Sequence, residues 1–393
     1  MNGFSRRTFL KGAGATGLAL GAPGFAGLAR AQEPLKIGVV YVSPVAEIGW
    51  TKQHSLGVDA IKAELGDKVD LTVIDNIFNP QDAERVFREL AASGNKLVFG
   101  TSFSHGTPLQ KVAPRFPDVA FEHCSGIVHL NNLGTFEAKY YEGTYVAGAA
   151  AGHMTKSGKI GFIGGFPIPD IVGPANALLL GAQSVNPDVT CNTIFLNSWF
   201  DPGKEKEAAN TLVSQGCDVI CSMTDTATGV QVAGEKGAWS IGYASDMSPF
   251  GNGKHLTAFV LDWSSEYVGA AKAVAAGTWK AEERWKGLDG GFVKMAPYNE
   301  AIPAAVQAEL KQLEADIASG AVHPYAGELQ DQDGNVKAAA GSVLPDADIR
   351  SMNWFVKGMI GQLGWRLQSR RAPVNATLCD VCEPQMCANR KGS

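Results

Sequence analysis

The feature that most constrains this chain is an alternation of short, β-branched apolar runs with longer helical spacers, played through twice. Residues 35–42 (Leu-Lys-Ile-Gly-Val-Val-Tyr-Val) read as a strand, 51–65 as a helix, 69–75 as a strand, 81–93 as a helix, 96–100 as a strand, 107–115 as a helix and 119–122 as a strand. Strands that are apolar almost throughout, with helices in the spacers, imply a parallel sheet covered on both faces. The pattern restarts at Lys159-Ile160-Gly161-Phe162-Ile163, which repeats the opening Lys36-Ile37-Gly38-Val39-Val40; a helix near 170–184 and strands near 189–195, 217–222, 238–242 and 256–260 follow. Two doubly wound α/β lobes in tandem are therefore predicted. Ligands bind outside the carboxyl ends of strands in such sheets, which makes the cleft between the lobes the expected site.

The expected lobes run over residues 32–130, rejoined by about 262–285, and over residues 131–261 with part of 286–366. Crossings near 124–137, 244–248 and 260–263 are the hinge candidates. Before the first lobe, Ser5-Arg6-Arg7-Thr8-Phe9-Leu10-Lys11, a Gly- and Ala-rich apolar stretch and Ala29-Arg30-Ala31 have the form of a twin-arginine export signal over residues 1–31. The apolar stretch is broken by Gly and by Pro23, no later segment offers about 18 unbroken apolar residues, and no Cys stands at the cleavage site to take lipid. A soluble periplasmic protein exported by the twin-arginine translocase is the expectation. Cys217 and Cys221 lie along one strand, about 13 Å apart at four residues, too far to be bridged. Cys124 and Cys191 are free or paired. Cys379, Cys382 and Cys387 crowd residues 370–393, a segment expected to be a disordered tail, with no fourth ligand for zinc.

Catalytic signatures are missing. Gly38 is followed by Val-Val-Tyr-Val-Ser-Pro rather than a dinucleotide-binding glycine pattern, and there is no phosphate-binding loop, nucleophile elbow or His-Glu-x-x-His. Net charge is −5 over 393 residues, and the leader carries four basic residues and no acids, so the mature chain is more acidic still. That balance argues against nucleic acid as a partner. No enzyme activity, metal or cofactor is expected; a solute receptor is.

Phe162-Ile163-Gly164-Gly165-Phe166-x-x-Pro169 with Asn176 and Gly181-Ala182, the helix start Glu142-Gly143-x-Tyr145-x-x-Gly148, and Ile241-Gly-Tyr-Ala-Ser-Asp246 resemble the basic membrane protein (PnrA-like) family of ABC-transporter substrate-binding proteins. The resemblance covers roughly residues 35–300. It implies a type I periplasmic-binding fold of two Rossmann-like lobes on a multi-crossing hinge, purine nucleosides as the best-known ligands and a membrane permease as partner. Trp263 after Asp262, Trp285-Lys-Gly-Leu-Asp-Gly-Gly-Phe-Val, and Leu344-Pro-Asp-Ala-Asp followed by Met352-Asn-Trp354-Phe-Val look like a branch associated with free bases such as adenine. Nucleoside-binding members resemble Asp-x-Ser-Phe-Asn-Gln in the first loop, where this chain has Glu47-Ile-Gly49-Trp50-Thr51-Lys52, and they carry a sugar-contacting Lys where Leu261 stands. Leu there would leave ribose hydroxyls unsatisfied at a cost of about 1 to 3 kcal/mol, which favours a base without sugar.

The residues themselves are compatible with such a ligand. Trp50 follows the first strand and Phe103 the third, so each can stack on a planar ring or pack into the core. Asp225 and Asp246 follow strands of the second lobe, where a carboxylate accepts from a purine N–H or caps a helix. Phe166, Glu47, Thr51 and Trp263 complete the candidate site. Alternatives are a receptor for a purine nucleoside or another planar or sugar-like solute, and, further off, an exported nucleoside hydrolase, against which the absence of an Asp cluster after the first strand counts.

Overall fold

The structure is a computed structural model that describes residues 33–363. The leader and residues 370–393, with Cys379, Cys382 and Cys387, lie outside the described residues.

The first lobe is built on β1 (Leu35–Val40), α1 (Trp50–Leu65), β2 (Val69–Ile74), α2 (Pro80–Ala92), β3 (Leu97–Gly100), α3 (Gly106–Val112), β4 (Ala120–Cys124) and β5 (Leu133–Ala138). Local chemistry sets these boundaries. Asn79 caps α2 by accepting from Gln81 N at 2.8 Å, Pro80 fills the first turn where no N–H is needed, and Val86, Phe87 and Leu90 turn one face of the helix to the sheet. The second lobe contains α4 (Tyr140–Met154), β6 (Lys159–Gly164), α5 (Pro169–Val185), β7 (Thr190–Phe195), α6 (Pro202–Ser214), β8 (Val219–Met223), α7 (Thr228–Glu235), β9 (Trp239–Ala244) and β10 (His255–Leu261). The chain then returns to the first lobe with α8 (Ser264–Ala275) and β11 (Glu283–Lys286) and crosses again to β12 (Val293–Met295) and α9 (Ala304–Ala318). A closing segment carries the hairpin β13 (Leu329–Gln330) and β14 (Val336–Ala338), then α10 (Asp346–Arg350) and β15 (Met359–Ile360).

The first sheet has the order β11-β5-β4-β3-β1-β2 and is parallel throughout. The second has the order β12-β10-β9-β8-β6-β7-β15 and is parallel except for β12 at its edge. Each predicted strand and helix is present, with ends moved by a few residues.

The lobe boundary is where the sequence reading needs correction. β5 pairs with β4, in register Phe121 to Leu133, so the first lobe continues through Ala138 rather than ending at 130. The chain first crosses at 138–140, between β5 and α4. A second crossing, Leu261 to Ser264, agrees with the candidate at 260–263, and a third lies between Lys286 and Val293. The candidates at 124–137 and 244–248 are not crossings, because β4 and β5 share one sheet and β9 and β10 share the other. Cys124, Cys191, Cys217 and Cys221 are free and buried, the first two in different sheets.

Two buried clusters brace the crossings. Arg284 on β11 pairs with Glu122 on β4 and, through Nε at 2.8 Å, with Glu266 on α8, which ties the returning segment to the first lobe. Glu142, at the start of α4, accepts from Leu288 N at 2.8 Å in the third crossing. Burial pushes the Glu122 and Glu142 carboxyls up to about 7.

Candidate ligand site in the interlobe cleft

A cavity of about 460 Å³, counting the space at its mouth, lies between the carboxyl ends of the two sheets. Five aromatic rings wall it: Trp50 and Phe103 from the first lobe, Tyr140 at the first crossing, and Trp199 and Tyr243 from the second. Its carboxylates are Asp170 and Asp225, its hydroxyls include Ser102, Ser125 and Thr224, and no Lys, Arg or His lines it.

The first-lobe wall is held by short backbone anchors. Trp50 opens α1, and its indole N–H donates to Thr101 O at 2.8 Å, fixing the ring beside the loop after β3. Phe103 follows in that loop. His105 accepts from Thr101 N at Nδ1 (3.1 Å), so its Nε2–H is the donor to Ile77 O at 2.7 Å; His123 likewise binds Ser102 O through Nε2 at 2.7 Å. Both imidazoles are fully buried and stay neutral, burial pushing them down to about 3 and about 4. Gly49 precedes Trp50 with φ +98°, and a Cβ there would stand 2.3 Å from Asp225 Oδ1, so this close approach of the lobes requires glycine.

Asp225 is where the lobes meet. Its carboxylate accepts from Ser43 Oγ, from Thr51 Oγ1 at 2.8 Å and from Thr51 N at 3.2 Å, all groups of the first lobe. Desolvation raises its pKa to about 6 against these bonds, which lower it. Ser245, at the end of β9, accepts from Gly49 N at 2.9 Å and Gln53 Nε2 at 2.7 Å. Tyr243 stacks across the cleft on Trp50 with centroids 6.3 Å apart, and Phe78 stacks on Phe166 at 5.9 Å. These contacts define a closed cleft.

Trp50, Phe103 and Asp225 thus come together on the cavity wall as the sequence suggested. Thr51 is buried beside it and binds Asp225 instead of lining the cavity. Phe166 sits behind Trp199, ring centroids 4.9 Å apart, and Trp263 is wholly buried beneath Trp50 and His54. Glu47 is exposed and outside the cavity. Asp246 is also exposed, and its Oδ1 accepts from Ser248 N at 2.9 Å, so it caps a turn, as an Asp just past a strand commonly does. Leu261 is buried and does not line the cavity. Asp170, Tyr140, Trp199 and Tyr243 escaped the sequence reading. Asp170 lies after β6 as Asp225 does after β8, and Trp199 after β7 as Trp50 does after β1, so the reasoning that selected Asp225 and Trp50 would also have selected these two.

Comparison with known proteins fits this architecture. Residues 35–326 match the Bmp family, described as ABC transporter substrate-binding protein PnrA-like, and residues 3–23 match the twin-arginine translocation signal. The chain belongs to the Bmp family of ABC transporter substrate-binding proteins. A purine-binding protein of Brucella abortus (strain 2308) is 43% identical over 337 residues, covering 86% of this chain and 96% of the relative. A Haloferax volcanii protein provisionally named as an ABC transporter glucose-binding protein is 30% identical over 331 residues, 84% of this chain and 82% of its own. Among solved structures, an Aeropyrum pernix K1 ABC transporter solute-binding protein superposes with a TM-score of 0.66 at 18% identity, covering 81% of this chain and 98% of its own. That likeness shows the type I periplasmic-binding fold. The protein is an exported periplasmic substrate-binding protein of an ABC transporter, and no helix among the described residues is long and apolar enough to cross a membrane.

Proposed function

We propose that this protein captures an uncharged purine base, adenine or a close analogue, and presents it to a membrane permease. The observation that carries this reading is the lining of the cavity: five aromatic rings, two carboxylates and no cation. A flat ring system supplies faces to stack on Trp50 and its neighbours, each such contact contributing roughly 1–3 kcal/mol. Carboxylates accept N–H bonds, which orient a base in a way that stacking does not. An anionic solute would meet two carboxylates and no positive charge, so nucleotides are disfavoured. The closed walls, with Tyr243 stacked on Trp50 and Asp225 bound to Ser43 and Thr51, favour a base over a nucleoside; Leu261, outside the cavity, does not bear on the choice. The purine-binding relative supports the same ligand class.

Closure follows from the clasp. With ligand between the walls, Asp225 engages Ser43 and Thr51, and Ser245 engages Gly49 and Gln53; ligand shifts the equilibrium only through its tighter binding to this closed form. A hexose is the second reading, favoured by the Haloferax relative, since sugars also lie against aromatic rings with carboxylates at their hydroxyls. Mass spectrometry of the small molecules released when the purified protein is denatured separates the two. A purine base is the expected species; a hexose released in stoichiometric amount would overturn the assignment.

A further inference from the structure

Behind the second-lobe wall of the cavity lies a buried carboxylate that the clasp does not use. Glu205 stands in the first turn of α6 and is wholly buried. Its Oε1 accepts from Gly229 N at 2.9 Å and from Ser222 Oγ at 2.6 Å, and its Oε2 accepts from Thr226 Oγ1. These donors sit on β8, on the loop after it and on α7, to either side of Thr224 and Asp225, which line the cavity. The Ser222 hydroxyl is in turn 3.1 Å from Thr224 Oγ1. We propose that Glu205, acting through Ser222, fixes the Thr224 hydroxyl as a hydrogen-bond acceptor toward the cavity, and that Thr224 thereby selects a base presenting an amine rather than a carbonyl at this wall.

The direction of each proton follows from counting. A carboxylate only accepts, a backbone N–H only donates, and a hydroxyl has one proton to give. The N-terminus of α6 and the three donors favour the charged form of Glu205, against burial, which raises its carboxyl. Ser222 spends its proton on Glu205, the shorter of its two contacts, and so meets Thr224 as an acceptor. Thr224 then spends its own proton on Ser222. What it has left to offer the cavity is a lone pair. In the same loop Asp225 is engaged by Ser43 and Thr51, which leaves Thr224 to meet the polar edge of the ligand.

A ligand N–H at Thr224 continues this chain of donors toward Glu205. A carbonyl oxygen there would face a second acceptor, with its own hydrogen bond unmade. Adenine and hypoxanthine differ in this respect, one carrying an amine where the other carries a carbonyl. Neither Glu205 nor Ser222 lines the cavity, so both are positioning residues whose effect on selectivity passes through Thr224. The assignment rests on the ligand being a purine base held in this cavity.

The test is calorimetric titration of the mature protein with adenine and with hypoxanthine at one pH. The wild-type protein should bind adenine at least about tenfold more tightly than hypoxanthine. Thr224→Val, which puts a methyl in place of the hydroxyl, should remove most of that preference by weakening adenine, with hypoxanthine nearly unmoved. Glu205→Met leaves the Thr224 hydroxyl in place but takes the acceptor away from Ser222, and should lower the preference at least about threefold. Glu205→Gln, whose amide oxygen still accepts the Gly229 N–H and the Ser222 proton, should restore it. If Glu205→Met does not fold, Ser222→Ala takes its place with the same expected fall. Equal weakening of both bases in Glu205→Met, with their ratio held, would show that Glu205 only props the loop and would overturn the proposal. So would equal affinity of the wild-type protein for the two bases, or an unchanged ratio in Thr224→Val. No heat from either base would instead overturn the purine reading, and this proposal with it.

Discussion

At the scale of single residues, the site divides into groups that face the ligand and groups that hold the lobes together. Trp50 does both, since its ring walls the cavity while its N–H is committed to Thr101 O and one part of its face leans on Tyr243 across the cleft. Removing the ring in Trp50→Ala should raise Kd at least tenfold, matching the lower part of the roughly 1–3 kcal/mol for stacking, and Trp50→Phe should recover much of the loss. Unchanged affinity in Trp50→Ala would show that the ring only packs. Asp225 belongs mainly to the clasp. Asp225→Ala should weaken binding by about tenfold through loss of charge-assisted bonds that exist only in the closed form, checked by the same titration alongside Ser43→Ala, which should lose less. The sequence showed Asp225 as a carboxylate after a strand, but it could not show that Ser43 and Thr51, 182 and 174 residues away in the chain, would occupy it.

At the scale of elements, the central strands of both sheets and the helices of the first lobe were legible because buried parallel strands are largely apolar and their spacers amphipathic, whereas α6, α7, α8 and α9 were not read from the sequence. Nor was β5. Its sequence, Leu-Gly-Thr-Phe-Glu-Ala, carries a buried Glu137 and a Gly and breaks the apolar run by which the other strands were found, and that one omission moved the hinge. β11 escaped for a similar reason, since Glu-Arg-Trp-Lys reads as surface until Arg284 finds Glu122 and Glu266. The packing of α4 on α5 shows the opposite case, a motif quoted from resemblance that has a plain steric cause. A Cβ on Gly148 would stand 2.0 Å from Leu178 O, and one on Gly181 would stand 1.9 Å from Tyr145 O, so each glycine lets one helix backbone approach the other. Gly181→Ala must push the helices apart and should cost at least about 1–3 kcal/mol, read as a lowered urea midpoint at unchanged slope. A midpoint equal to that of the wild-type protein would contradict the close approach.

At the scale of the whole molecule, three crossings join two parallel sheets whose carboxyl ends face one another, and the closing segment is fastened to the second lobe by Asn176, which donates to Trp354 O at 2.8 Å and accepts from Val356 N at 3.0 Å. The cavity between the sheets is aromatic, acidic and closed over by contacts between the lobes. Calorimetric titration of the mature protein with adenine, guanine, hypoxanthine, adenosine and D-glucose under one set of conditions tests that reading most directly. A base should bind with Kd of about micromolar or tighter, adenosine at least tenfold more weakly, and glucose with no saturable heat. Saturable binding of glucose or of adenosine, with no heat from any base, would contradict it.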